Sequence, residues 1–370
     1  MTSGSMVWRL EVPGAGRAGD GGRWGLVLGG GGVLGGAWLV GALEALERSR
    51  GLDARDASTI VGTSAGAVLA ALLGSGIAVK DLRAYQLGEA APDTVLGRLR
   101  GDADRAAGPA TPPRPRLRPG NARLLARHPR RLRRMPPTAV LSGLVPSGRG
   151  TMGGVRQLVD AVAPDGQWAP RDGVWVVTLD YDAGERVIFG APGAPAVGLT
   201  EAVLASCAIP GWFKPVVING RRYIDGGAWS ATNADILAGQ GLDEVIVLAP
   251  MVSLALDSPT DWKVRMERHW RVRVTRRCLR EASRVYRNGS SVTVLGPGPE
   301  DLELMGFNLM APRRRREVLT RATETSLRAF GSSVIHLDSA VSQSTALQAA
   351  ALENAALENA ARSDGAGDIG

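Results

Sequence analysis

The sequence predicts a three-layer α/β/α chain, with helices on both faces of a central, mostly parallel sheet. Three observations predict it. Trp24-Gly25-Leu26-Val27-Leu28 is a short apolar run that enters a glycine loop, Gly29 to Gly36, and then a helical pattern from Ala37 to Arg50 stopped by Gly51. Thr59-Ile60-Val61 repeats the arrangement, passing through Gly62-Thr63-Ser64-Ala65-Gly66 into an Ala/Leu-rich helical run. Further buried-strand patterns at Gly173 to Asp180 and Glu244 to Ala249 then alternate with helical ones.

Taken in order, residues 1–22 are rich in Gly and small polar residues and read as a disordered N-terminus. They contain no apolar core of signal-peptide length, and no run anywhere reaches the roughly 18 to 20 apolar residues of a bilayer span. The expectation is a cytoplasmic protein whose membrane contact is peripheral, at the inner face. One domain is expected over 23–338, interrupted at about 98–135 by a stretch in which Arg114, Arg116, Arg118, Arg130, Arg131, Arg133 and Arg134 mix with Pro112, Pro113, Pro115 and Pro119. Proline at that density blocks regular structure, leaving an arginine-rich insertion with a short helix near Asn121 to His128. It reads either as a solvated loop or as a contact for anionic head groups.

After a helix over Thr151 to Val162, the strand to Asp180 turns back through Arg186 to Phe189, and Thr200 is placed to cap a helix through Ala208. Val216-Val217-Ile218 and Arg221 to Ile224 form a hairpin around Asn219-Gly220, and the outgoing strand stops at Asp225-Gly226-Gly227. Trp262 to Arg287 is an amphipathic helix with Trp262, Met266, Trp270, Val274, Cys278, Ala282 and Tyr286 at every fourth position and arginines on its other faces. It either lies in a membrane interface or, as we prefer, packs on the core with a solvated arginine face. A strand at Ser291 to Leu295 and a helix from Arg313 to Phe330 follow, and 339–370 is an alanine-rich low-complexity tail.

Composition narrows the partners. The formal net charge of +8 favours anionic surfaces, but no aromatic residue is interleaved in the basic stretch to stack on bases, so nucleic acid is not expected. Cys207 and Cys278 supply neither a disulfide framework nor metal-ligand spacing, and no Asp/Glu loop or His cluster provides a calcium or zinc site. No metal and no cofactor are expected.

The chemistry concentrates in three turns. A serine between a strand and a helix, with Gly62 and Gly66 two residues to either side, is lifted clear of the backbone; the glycines remove Cβ atoms where strand and helix approach. Ser64 is therefore the candidate nucleophile, with the amide of Ala65 at a helix N-terminus beside it. Gly30-x-Gly32-x-x-Gly35 matches a dinucleotide fingerprint in form, but such a site wants an acidic residue after the second strand, where this chain has the serine turn. The loop is better read as an oxyanion hole built from the amides of Gly30, Gly31 and Gly32. Asp225 ends a later strand, and parallel α/β sheets place such strand ends along one edge, where ligands bind.

Together, Gly30-Gly31-Gly32-Val33-Leu34-Gly35, Gly62-Thr63-Ser64-Ala65-Gly66 and Asp225-Gly226-Gly227 resemble the pattern of the patatin-like phospholipase family. The likeness continues through Ala205 to Pro210 and Asn233-Ala234-Asp235. It implies a Ser64–Asp225 dyad, a carboxylic ester hydrolase, and a phospholipid or acylglycerol substrate in lipid degradation. One departure stands out: many members carry Arg or Lys inside the loop, where this chain has Leu34. Two rivals compete with this reading. His336 would complete a Ser-His-Asp triad in α/β-hydrolase order, and a noncatalytic member would only bind lipid or protein.

Overall fold

The computed structural model describes residues 6–99, 120–121, 135–164, 166–253, 261–331 and 335–336. Its first half is built from β1 (Met6–Leu10), β2 (Trp24–Leu28), α1 (Gly32–Arg50), β3 (Thr59–Thr63), α2 (Ala65–Gly74), α3 (Val79–Leu87) and the single turn α4 (Val95–Arg98). The middle contains α5 (Pro137–Leu144), α6 (Gly153–Asp160), β4 (Val174–Asp180), β5 (Glu185–Phe189), α7 (Leu199–Ser206), β6 (Val216–Ile218) and β7 (Arg221–Asp225). The chain then runs through β8 (Glu244–Leu248), α8 (Trp262–Arg287), β9 (Ser291–Gly296), α9 (Pro299–Met305), α10 (Arg315–Gly331) and β10 (Ile335–His336).

These strands form one sheet in the order β10-β1-β9-β8-β2-β3-β4-β7-β6, with β5 also paired to β4. Its centre, β9-β8-β2-β3-β4, is parallel throughout. Antiparallel pairing is confined to the flanks, where β1 meets β9, where β4 meets β5 and β7, and where β6 meets β7.

The two-residue period of a strand explains the layers. Leu26 and Leu28 point to the side covered by α1, α2 and α10, together with Ile60, Val176, Ile246 and Leu248. Val27, Val61, Val177, Val245 and Val247 point to the other, where Cys278, Ala282 and Val285 of α8 cover them. Each such fully buried aliphatic side chain contributes about 1.5–3 kcal/mol. Helices α1 and α10 touch almost backbone to backbone: a Cβ added to Gly41 would lie 2.6 Å from the Leu319 carbonyl oxygen.

Several expectations need correction. Residues 1–22 are not wholly disordered, because Met6–Leu10 is a strand between β9 and β10, with Val7 and Trp8 buried. Helix α1 begins at Gly32 rather than Ala37, so the glycine loop is shorter than it reads. Thr200 does not cap α7; Gly198 holds the cap position, and the Thr200 hydroxyl donates instead to Asp160 Oδ1 at 2.6 Å. Helices α3, α5 and α9 went unread.

The apolar stripe of α8 is also split. Cys278 and Ala282 are buried, but Trp262, Met266 and Trp270 are exposed. The reason is helical geometry: a strict four-residue repeat drifts by about 40° per step on a helix of 3.6 residues per turn, so the stripe winds from one side to the other. The expected helix at 121–128 and the 339–370 tail lie outside the described residues, as does most of the insertion at 98–135. Within it, the buried Asn121 donates its side-chain amide to the Tyr181 carbonyl and its backbone amide to Gly143 O at 3.0 Å.

Candidate active site

The parallel strands β2, β3 and β8 end at one edge of the sheet, and there the three motifs meet. Ser64 joins β3 to α2 with φ 54° and ψ −121°, a backbone conformation a non-glycine residue holds only when its surroundings enforce it. The enforcement can be read atom by atom. The Ser64 amide donates to Ser206 Oγ at 2.9 Å, and that hydroxyl donates onward to the Val177 carbonyl at 2.7 Å. The amide of Ala67 closes the turn on the Ser64 carbonyl at 2.8 Å. Strand and helix come so close that a Cβ on Gly66 would lie 2.0 Å from Leu28 O, and one on Gly62 2.5 Å from Gly66 O. Only glycine fits at either place.

Asp225 is brought alongside by the β6–β7 hairpin and by its amide, which donates to Ala208 O at 3.1 Å. Its Oδ1 accepts from the Gly227 amide at 2.6 Å, and the Ser64 side chain lies close enough to lower its pKa. Burial raises its pKa to about 6, against the pull of the Ser64 and Gly227 hydrogen bonds. The neighbouring Gly226 is required by packing, since a Cβ there would sit 2.4 Å from Val177 O. Beside them, burial and the Asp225 charge push the Cys207 thiol up, so it stays protonated.

The glycine loop lies across from Ser64, where a Cβ on Gly30 would be 3.2 Å from Ser64 Cβ. One expected donor is not available. The Gly30 amide is used by Ala231 O at 2.8 Å, so Gly30 shapes the loop without offering its N–H. The amides of Gly31, Gly32 and Ala65 have no hydrogen-bond partner among the described residues. Gly35 closes the first turn of α1 by donating to Gly31 O at 2.9 Å. Leu34 is 2 % exposed and belongs to the core, and its amide donates to Leu309 O at 2.9 Å. The position that carries a cation in many relatives is therefore a packing position here.

Sequence reasoning singled out Asn233-Ala234-Asp235 only as part of a pattern, and the structure supplies its physical role. Asn233, with φ 55°, donates from Nδ2 to Thr63 Oγ1 at 3.1 Å and to Ser230 O at 2.6 Å, which holds the residue before Ser64. Its Oδ1 accepts from Arg186, which also grips Asp235 with two bonds of 2.6 and 2.9 Å. From α8, buried Glu281 takes the Thr232 hydroxyl at 2.6 Å and the Ala234 amide at 3.1 Å. Burial raises the pKa of Glu281. Ser206 and Glu281 had no individual signal in the sequence.

A cavity of about 130 Å³ opens beside Ser64 and Ala65, walled by Val68, Leu158, Ile209 and Phe213 among others. Its lining is mostly apolar. His336 is nowhere near it: the backbone of β10 is the outermost strand, five strand spacings from β3, or about 24 Å at 4.8 Å each. A triad through His336 is thus not formed. His269 sits exposed on α8, and His128 lies outside the described residues. Among the described residues, no group of three or more His, Cys, Asp or Glu side chains could hold a metal ion.

A mixed, mostly parallel sheet flanked by helices, with a serine turn, a strand-end aspartate and a glycine loop along one edge, defines the class of α/β acyl hydrolases with a nucleophile elbow. More narrowly, residues 26–238, over half of the chain, match the family model for patatin-like phospholipase, and the chain belongs to that family. Membership supports lipid acyl hydrolase activity. Among solved structures, VipD from Legionella pneumophila is similar at 13% identity and a TM-score of 0.39, covering 90% of this chain and 71% of its own. The type III effector protein ExoU is similar at 19% identity and a TM-score of 0.32, over 84% of this chain and 53% of its own. No curated protein matches the chain.

Proposed function

We propose that the chain hydrolyses acyl esters of phospholipids or acylglycerols through a Ser64–Asp225 dyad. The observation that carries this reading is a buried carboxylate beside the Ser64 side chain, its pKa raised to about 6 by burial against the pull of Ser64. A carboxylate of ordinary pKa is a poor base at neutral pH; one raised toward neutrality is better matched to the task yet still ionised at pH 7.

In the first half-reaction, Ser64 Oγ bonds to the ester carbonyl carbon while its proton passes to Asp225. The carbonyl oxygen becomes an oxyanion, and the amides of Gly31, Gly32 and Ala65 are its donors, each worth about 3 kcal/mol in such sites. The C–O bond to the leaving alcohol then breaks, and Asp225 returns the proton to that alcohol. Water attacks the acyl-serine and gives a proton to Asp225; the bond from the acyl carbon to Ser64 Oγ then breaks, Asp225 returns the proton to Oγ, and the fatty acid leaves. The apolar cavity takes the start of the acyl chain, and acyl binding itself dries the site.

Two features weigh against a noncatalytic role. Ser64 and Asp225 are both retained and paired, and the missing loop cation is accounted for by Leu34 joining the core. We place the protein in the cytoplasm, acting at the membrane surface; no helix among the described residues is long and apolar enough to cross a membrane. The test is reaction with a fluorophosphonate probe and hydrolysis of a panel of phospholipids, acylglycerols and chromogenic esters. Labelling of the parent and none of Ser64→Ala is the expected result. Equal labelling of the two would remove Ser64 from the mechanism.

A further inference from the structure

The first half of α8 is turned inside out. Its inward face is charged: Arg271 is fully buried, Arg268 and Glu267 are nearly so, and both arginines pair with Glu267. Its outward face carries Trp262, Met266 and Trp270, which are 64%, 56% and 40% exposed. A helix that meets only water gains nothing by this arrangement. Exposed large apolar groups cost solvation, and buried arginines must be paired to be tolerated. The pattern is explained if the outward face meets something other than water.

Charge says what that something is. Along the same exposed side, Arg265 and Arg273 flank the two tryptophans, and Arg280, Arg284 and Arg287 continue it toward the C-terminus. Tryptophan beside arginine on one helical face is the composition of a segment that settles into an anionic bilayer, rings at the head-group level and guanidiniums on phosphates. A protein partner of ordinary composition would face a row of like charges here.

Position agrees. Arg271, the residue after Trp270, donates to Pro250 O at 2.7 Å, and Pro250 packs on the glycine loop, its Cγ 2.8 Å from where a Cβ of Gly31 would be. A third exposed aromatic, Phe307 at 55%, lies two residues before Leu309, whose carbonyl takes the Leu34 amide. The first half of α8 and the segment that carries Phe307 are thus both tied to the glycine loop at the edge of the sheet where Ser64 lies. We propose that the outward face of α8, anchored by Trp262, Met266 and Trp270, docks the protein on anionic phospholipid bilayers and presents the Ser64 cavity to the membrane surface. This rests on the lipid-hydrolase reading above and names the surface through which it reaches substrate.

The test uses the full chain carrying Ser64→Ala, so that vesicles stay intact and binding is read apart from hydrolysis. Co-sedimentation is measured with phosphatidylcholine vesicles, with and without phosphatidylglycerol. Uptake by the anionic vesicles alone, weakening with added salt, is expected. Trp262→Ser/Met266→Ser/Trp270→Ser should weaken it by about tenfold or more. Arg280→Gln/Arg284→Gln/Arg287→Gln should also weaken it and flatten the salt dependence. Val217→Ser, at an exposed apolar residue of the β6–β7 hairpin, should change nothing. Circular dichroism melts of each variant verify the fold. Equal binding by parent and the Trp/Met variant overturns the proposal. So does a dimer in sedimentation equilibrium that the Trp/Met variant abolishes while vesicle uptake stays absent, since a second copy then covers the face. If the vesicles bind as expected but the chain with Ser64 intact hydrolyses no ester, the surface stands and the hydrolase reading falls.

Discussion

Ser206 Oγ accepts a hydrogen bond from the backbone amide of Ser64 at 2.9 Å, across 142 residues of sequence, and donates one to Val177 O. One hydroxyl thus ties the serine turn to β4. Ser206→Ala leaves a buried N–H and a buried carbonyl without partners, at a cost of about 1–3 kcal/mol. It also frees the strained Ser64 backbone. The expected outcome is a lower melting temperature and roughly tenfold slower turnover with KM little changed, read from steady-state kinetics beside a thermal melt. A loss confined to stability would mean that Ser206 supports the fold without positioning Ser64.

Asp225 sets the pH profile. With a pKa raised to about 6 it is ionised above that pH, so kcat/KM should rise through an apparent pKa near 6 and level off toward pH 8. A profile flat from pH 5 to 8 would exclude Asp225 as the base.

The same carboxylate has the opposite effect on stability. Because its folded pKa is raised above its ordinary 3.8, the fold favours the protonated form. Its contribution is most favourable below about pH 4 and is lost as pH rises from there through 6. At pH 7.5 the buried charge costs on the order of 2–3 kcal/mol. Asp225→Asn, which keeps an oxygen for Gly227, should therefore lower hydrolysis by roughly a thousandfold while raising the melting temperature at pH 7.5. The gain should shrink toward pH 4; a variant that melts lower than the parent at pH 7.5 would contradict the burial argument.

Leu34 tests whether a loop cation can be restored. The side chain projects from the first turn of α1 into the core, so Leu34→Arg forces a guanidinium into an apolar cluster. Destabilisation of about 3 kcal/mol or more is expected, with no gain in turnover. Faster hydrolysis by a stably folded L34R would show that the loop lacks a charge it can use.

His336→Ala should leave ester hydrolysis within about twofold of the parent, because β10 is at the far edge of the sheet from Ser64. A collapse of activity in a well-folded H336A would restore the triad.

Much of this was legible in the residues. Gly62 and Gly66 flank Ser64 because backbone atoms occupy the space a side chain would need, a constraint local enough to leave a fixed spacing. Asn219-Gly220 announced the β6–β7 hairpin and has the positive φ values, 51° and 76°, that its turn requires. Met6–Leu10 was missed because a five-residue strand among glycines has little periodicity of its own; it exists because β9 offers it an edge. Helix α8 was placed at its observed bounds, but its orientation was not, since a four-residue repeat winds around the helix and does not choose a side.

The amino-acid order alone determined where the chain must turn, which serine those turns expose and which strand patterns fill a parallel sheet, because these follow from sterics and polarity between near neighbours. Only the tertiary structure decided that Asp225 is buried beside the serine turn, with its pKa raised, that Ala231 claims the amide of Gly30, and that Trp262 and Trp270 face outward. Those outcomes depend on atoms brought from distant parts of the chain. Desolvation and hydrogen-bond partnership are properties of the assembled surroundings, and no local pattern encodes them.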